Sequence, residues 1–223
     1  MSDFTLNDHP LRRCNLIHPV QGAASADMEI GTDTPVTGQA TLTLPGLSLV
    51  GTVLPGYAGV SFDRQHLRWV AGAGGLSTKT AGQHFRQADV NTIVGWLLAQ
   101  GSEVLSPNAD PDVLAQELDH WQHVAGTVAQ GLDLLTDHIG CSWWVDADGT
   151  VILGTPTNTA SSADFDLLNE DLMGRSWLVI STDSAVLPGT TLDPGDDAAA
   201  GPQPVTCTEH AITGDSWRTR VRW

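Results

Sequence analysis

The spacing of apolar residues changes twice along the chain. Up to about residue 70 they fall in short runs, "ATLTL", "LSLVGTVL" and "GVSF", rich in β-branched residues and separated by Pro45-Gly46 and Pro55-Gly56. Such runs between turn dipeptides predict strands. The stretch before them, "GAASADMEIGTDTPVTGQ", is looser and reads as containing a loop. From Asp89 the period becomes helical. In "DVNTIVGWLLAQG", Asp89 can cap, Ile93, Val94, Trp96, Leu97 and Leu98 are apolar and Gly101 can stop the turn, which predicts a helix over about 90–100. A second helix over 111–124 is predicted from "DPDVLAQELDHWQHVAG", with Pro111 in its first turn and Val113, Leu114, Leu118 and Trp121 on one side. A third, over 127–139, has Thr127 as cap, Val128, Leu132, Leu135 and Ile139 at helical spacing, and Gly140 at its end.

The period then returns to two. Apolar runs on either side of Asp146-Ala147-Asp148-Gly149 predict a hairpin over 141–154. After a linker-like "TPTNTASSADFDLLNEDLMG", a second β block begins near Arg175 with "SWLVIS", "PVTCTEHAI" and "SWRTRVRW", and Thr213-Gly214-Asp215 turns the last hairpin. In the final strand Trp217, Thr219, Val221 and Trp223 should face one way and Arg218, Arg220 and Arg222 the other. The order predicts an α+β, β-rich fold: a split β-barrel-like domain formed by the N- and C-terminal segments, 1–75 and 175–223, with an inserted α+β subdomain at 76–174.

Composition narrows the partners. The 223 residues carry a formal charge of −16, and between Arg86 and Arg175 there is no Lys or Arg, while Asp110, Asp112, Glu117, Asp119, Asp133, Asp137, Asp146 and Asp148 recur. Stable nucleic-acid binding needs clustered cations that release counterions, so it is not expected here. Membrane insertion is not expected either, because the most apolar stretch, "ATLTLPGLSLVGTVLPGYAGVSF", is broken by Pro45 and Pro55. The N-terminal "MSDFTLNDHPLRRCNL" has no apolar core of a signal peptide, which predicts synthesis in the cytosol. Cys14, Cys141 and Cys207 show no ligand spacing and are expected to be reduced.

The chemical motifs fail one by one. "WVAGAGGLSTKT" has the glycines of a phosphate loop and Lys79, the chain's single lysine, but Thr78 stands where a Walker loop needs glycine. Gly72-Ala73-Gly74-Gly75-Leu76-Ser77 lacks the third glycine of a dinucleotide loop. The expected role of this segment is a bend between the first β block and the insert. His120 and His123, beside Glu117 and Asp119 on the predicted helix, have no third ligand in view. Asp146 to Gly149 matches the start of a calcium loop, yet Thr157 occupies the twelfth position, where a bidentate Glu is required. No GxSxG elbow is present. Eight tryptophans raise sugar stacking, but Trp96, Trp121 and Trp177 sit in apolar patterns, and only adjacent Trp143 and Trp144 must point to opposite faces. No catalytic, cofactor-binding or metal residue is assigned. A glycan-binding module and a hydrolase using surface carboxylates stay open as alternatives.

A set of segments in order carries a resemblance. "WVAGAGGLSTKT", a capped helix, "LDHWQHVAGTVAQGLDLLTDHIGCSWWVDADGTVILG", "AVLPGTTLDPG" and "TEHAITGDSWRTRVRW" together resemble the baseplate hub or tail-tip hub proteins of tailed bacteriophages and related contractile injection systems. The family's helix and "G-x-x-W-x-V-x-x-D-G-x-x-x-x-G" hairpin correspond to Gly140–Gly154, its late "V-x-P-G" strand to Val186–Gly189, and its closing "W-R-T" to Trp217–Thr219. The similarity spans about residues 45–223. It implies a structural virion protein and not an enzyme, working without a cofactor. It further implies a homo-oligomeric ring, commonly a trimer, in the virion tail assembled in the host cytoplasm. The ring joins the tail tube protein to a spike or tip protein, with the tape measure protein as a further neighbour, and lines the channel for DNA passage. An acidic lumen would suit that passage, because it offers phosphate no Lys or Arg to grip.

Overall fold

Alternating buried and exposed positions build most of the molecule. The computed structural model describes residues 4–56, 59–161, 163–181, 185–195, 198–214 and 216–223. The N-terminal strands are β1 (Thr5–Leu6), β2 (His9–Pro19), β3 (Ser25–Gly31), β4 (Gly38–Leu44), β5 (Leu47–Val53), β6 (Gly59–Ser61) and β7 (Arg64–Ala71). Short β1 pairs with both β2 (Thr5↔Pro10) and β4 (Thr5↔Thr43), which closes an antiparallel ring in the order β1-β4-β5-β7-β3-β2. Closure leaves little free edge in this half of the sheet. Pro45-Gly46 and Pro55-Gly56 turn the chain as expected, with both glycines at positive φ. The stretch read as loop-containing holds β3, whose Ala26, Met28 and Ile30 point into the core.

Packing fixes side-chain size inside the ring. The indole of fully buried Trp69 donates to Ala40 O at 3.0 Å and lies against mid-strand Gly51, where a Cβ would sit 2.4 Å from the ring. Buried Gln65 meets both backbone groups of Val36, at 2.7 and 2.8 Å, so its amide carries no unsatisfied burden.

The insert contains β8 (Lys79–Thr80), β9 (Gln83–Asp89), α1 (Val90–Gly101), α2 (Pro111–Leu114), β10 (Glu117–His123), β11 (Gly126–Thr127), α3 (Val128–Ile139), β12 (Ser142–Val145) and β13 (Val151–Gly154). Asp89 caps α1 by accepting from Thr92 N, and Thr127 with Gln130 forms a capping box on α3. The two helices approach closely at Gly131, where a Cβ would lie 2.5 Å from Leu97. Two expectations need correction here. The helix predicted over 111–124 stops at Leu114. Beyond it, Trp121 and His123 alternate inward with a period of two and β10 pairs with β9, so tertiary pairing overrides the local helical pattern. Gly101 is not the stop of α1 but its last residue, and Ser102 takes the left-handed cap at φ 56°.

The C-terminal segment supplies β14 (Thr159–Ala160), β15 (Phe165–Asp171), β16 (Ser176–Ser181), β17 (Thr190–Leu192), β18 (Gln203–Pro204), β19 (Cys207–Thr213) and β20 (Ser216–Arg222). Strand β19 pairs with β2 along residues 13–19, and β20, β16 and β15 follow. The two ends of the chain therefore share one antiparallel sheet, with the helical insert between them in sequence. The linker-like stretch contains β14 and β15, so the C-terminal β segment begins ahead of Arg175. Val186–Gly189 runs as an irregular approach and turn before β17, not as a strand. Asp215 of the last turn lies outside the described residues; Gly214 beside it has φ 56°. One core unites the ring, α1, α3 and the β12–β13 hairpin, and a smaller one gathers Trp177, Val179, Val186, Leu192, Val205 and Val221.

Candidate assembly interface

The glycine-rich segment after β7 does hold an anion, and the anion belongs to the protein. Ala73 N donates to Glu103 Oε2 at 2.8 Å and Gly75 N to Glu103 Oε1 at 2.7 Å. Glu103 is 6% exposed. Gly72 and Gly74 take positive φ of 88° and 86° to aim these amides, and a Cβ on Gly72 would sit 2.7 Å from the carboxylate. Gly75 packs on the end of α1, where its Cβ would lie 1.7 Å from Gly101 O. That contact explains why residue 101 is glycine. Both amides are consumed by Glu103, and Lys79 stands exposed on β8 opposite Thr127. Glu103 was missed by sequence reasoning because an acid just past a helix end carries no motif.

The HxxH residues diverge. On strand β10 an odd spacing sends them to opposite faces. His120 is exposed and stacks on His84, with centroids 5.8 Å apart and planes 3° from parallel. His123 is buried; its Nε2 lies 2.5 Å from Thr80 Oγ1, and burial lowers its pKa. Glu117 and Asp119 are exposed beside His120. Among the described residues no group of three or more His, Cys, Asp or Glu is placed to hold a metal ion. Asp148 accepts from both Thr150 Oγ1 (2.6 Å) and Thr150 N (2.9 Å), which holds its carboxyl below the usual range and spends it on the hairpin turn. Thr157, the residue at the twelfth position, is exposed.

The tryptophans are core. Trp69, Trp121, Trp143, Trp177 and Trp217 are buried, and Trp96, Trp144 and Trp223 half-buried. Trp143 points inward and donates to Asp133 Oδ1 at 2.7 Å, while Trp144 takes the other face of β12. All three cysteines are free; burial pushes the Cys14 thiol up to about 12 and raises Cys141 and Cys207. A second buried polar group sits where β2, β19 and β20 meet. His210 Nδ1 lies 2.8 Å from Thr219 Oγ1 and accepts from Trp217 Nε1 at 3.3 Å, and burial brings its pKa down to about 3. Burial brings His18 to about 4.

The charged surface is organised by register. On the outward face of β7, β3, β2, β19 and β20, one cross-strand row reads Arg68, Asp27, Asn15, Ala211, Arg218. The next reads Val70, Ser25, Ile17, Glu209, Arg220. Arg13, Arg64 and Arg222 stand on the same face, so six of the chain's ten Lys and Arg gather here. Arg64 pairs with Glu29 at 3.1 Å and Arg222 with Glu209 at 2.6 Å, while Arg68 reaches Asp27 only at 4.0 Å. Arg13, Arg218 and Arg220 are exposed and form no ion pair among the described residues.

This arrangement, a closed strand ring extended by C-terminal strands and carrying a helical insert, is a fold of phage tail proteins and of a secretion-system relative of them. The chain superposes on the 43 kDa tail protein of prophage MuSo2 from Shewanella oneidensis with a TM-score of 0.68 at 10% identity, covering 95% of this chain and 92% of that one. It is equally similar to the c3393 protein of E. coli, a component of the type VI secretion system, at TM-score 0.68 and 12% identity over 98% of this chain and 75% of that one. A tail protein from Neisseria meningitidis MC58 gives 0.64 and 15% identity over 95% and 91%. No family model matches the sequence, and no curated protein matches it.

Proposed function

We propose that this chain is a structural subunit of a phage-type tail: a hub that assembles with copies of itself into a ring, joins the tail tube to a spike or tip protein, and lines the channel for DNA passage. Residues 1–75 and 175–223, together with β15, form the hub body, and the rest of 76–174 is presented from it as an insert. The observation that carries the reading is the near-complete correspondence of fold, 95% and 92% of the two chains with the Shewanella tail protein. The acidic surface supports a channel that lets DNA pass without gripping it. On this reading the work is done by interfaces, with no catalytic step, cofactor or metal. Co-expression with a tail tube protein and a spike protein of the same tail tests the proposal: the three should co-purify as a ring visible by electron microscopy. A particle that stays single and retains neither neighbour sinks it.

A further inference from the structure

The chain's charges are segregated, and the segregation specifies how copies meet. From residue 87 to 174 there are 14 carboxylates and no Lys or Arg. Most of them serve the fold: Asp89, Asp110, Asp146, Asp148 and Asp171 accept from nearby backbone amides, Asp133 accepts from Trp143, Glu103 fills the glycine loop, and Glu170 accepts from Trp177 and the Ala199 and Ala200 amides. Asp112, Glu117, Asp119 and Asp137 are exposed and accept no hydrogen bond among the described residues. Glu117 and Asp119 line one groove with His120 and His138, next to Asp137. On the outward sheet face Arg13, Arg218 and Arg220 are likewise uncommitted, with exposed Ala211 cross-strand from Arg218, and half-exposed Ile17 and Arg220 both paired to Glu209.

We infer that the arginine face of one copy docks on the Glu117–Asp119 side of the insert of the next copy, a head-to-tail contact. The inference rests on the self-assembling ring proposed above and names its two contact surfaces. A two-fold contact centred on the arginine face would set arginine against arginine, which costs several kcal/mol, whereas a head-to-tail contact sets arginine against carboxylate and repeats until a ring closes. Exposed apolar positions interleaved with arginines suit a protein interface, where Arg is enriched. Nucleic acid is the less suited occupant. Six arginines share the face with Asp27, Glu29 and Glu209, and the rest of the chain is more acidic than its total of −16, so a polyanion meets repulsion nearly everywhere else.

The test uses the full chain and measures particle mass by analytical ultracentrifugation at low and high salt. Circular dichroism confirms the fold, which changes at these exposed positions leave intact. Wild type is expected to form a ring that loosens as salt rises. R218E/R220E, and separately E117K/D119K, should weaken association by about a hundredfold or more, and the four changes together should restore it. If R218E/R220E assembles like wild type, the arginine face is not the contact, although the ring reading stands. Failure of the fourfold variant to reassemble removes Glu117 and Asp119 as the partners. Wild type that stays monomeric at every concentration overturns the ring itself. A short DNA duplex that binds wild type through these arginines without changing its association would make the face a nucleic-acid site and refute the inference.

Discussion

Replacing Glu103 with alanine isolates the energetics of the glycine loop. The wild-type carboxylate, 6% exposed, accepts from Ala73 N at 2.8 Å and Gly75 N at 2.7 Å. Hydrogen bonds to a charged group contribute about 1.5–3 kcal/mol each, and truncation strands both amides against α1. One term opposes. A carboxylate just beyond a helix C-terminus faces the negative end of its dipole, at a cost of about 0.3–1 kcal/mol. The amides win, so Glu103→Ala should lose about 3–5 kcal/mol, a large share of the stability of a small protein. Glu103→Gln keeps one acceptor and turns a donor toward the second amide, so it should lose about half as much. Urea unfolding at neutral pH, followed by tryptophan fluorescence, reads these values if the transition is two-state with an unchanged slope. A loss below about 1 kcal/mol for the alanine variant would show that water reaches these amides and that Glu103 does not organise the loop.

Other consequences can be checked with the same unfolding assay. Gly75→Ala places a Cβ 1.7 Å from Gly101 O and should cost about 1–3 kcal/mol or more by forcing the loop off α1; unchanged stability would mean the contact is loose. Leu132→Ala and Leu135→Ala, both at fully buried positions facing the insert core, should each cost about 2–5 kcal/mol, and wild-type behaviour would misplace the inner face of α3. His120→Ala should be nearly neutral, whereas His123→Ala should destabilise because Thr80 loses its buried partner; equal effects would contradict their opposite placement. His18 and His210 have folded-state pKa values of about 4 and about 3, below the ordinary 6.5 of an unfolded chain. The unfolded chain therefore binds more protons in between, so their contribution is fully present above 6.5 and is lost as pH falls toward 4 and 3. NMR should find both imidazoles still neutral at about pH 5; protonated rings there would contradict their burial.

Local structure was legible where one physical signal decided it. Asp89, Thr127 and Gly140 marked helix ends because capping uses side chains and φ values that few residues offer. Asp146 to Gly149 marked a hairpin for the same reason, and the alternation of Trp217 to Arg222 gave the two faces of the last strand. The error at 111–124 arose because "DPDVLAQELDHW" satisfies a helix locally: Asp110 and Pro111 do start one, but only pairing with distant Gln83–Asp89 decides where it ends. Strand order was similarly hidden. The closure through Thr5-Leu6 depends on two residues whose partners lie at 9–10 and 42–43, and no periodicity reports that. The failed Walker and dinucleotide patterns argued against a nucleotide at residues 72–80, but they could not reveal that Glu103, 28 residues beyond Gly75, is what the amides bind.

The carboxylates connect this fold to its proposed work. In a chain of net −16, each acid held by a backbone amide or an indole has its charge stabilised locally and tied to the folded state. Such acids contribute to stability whatever surrounds the protein. Uncommitted acids such as Glu117 and Asp119 do the reverse: they repel one another across the surface and become favourable only when cations approach. Exposed Arg86 stands cross-strand from His120, yet among the described residues Glu117 and Asp119 form no ion pair within one copy. Stability and association should therefore respond differently to salt. Screening weakens separated charges across an interface more than carboxylates in direct hydrogen bonds at about 3 Å, so raising ionic strength should dissociate copies well before it lowers the melting temperature of each. If melting temperature and association fall together across the same salt series, this division between folding and assembling carboxylates is wrong.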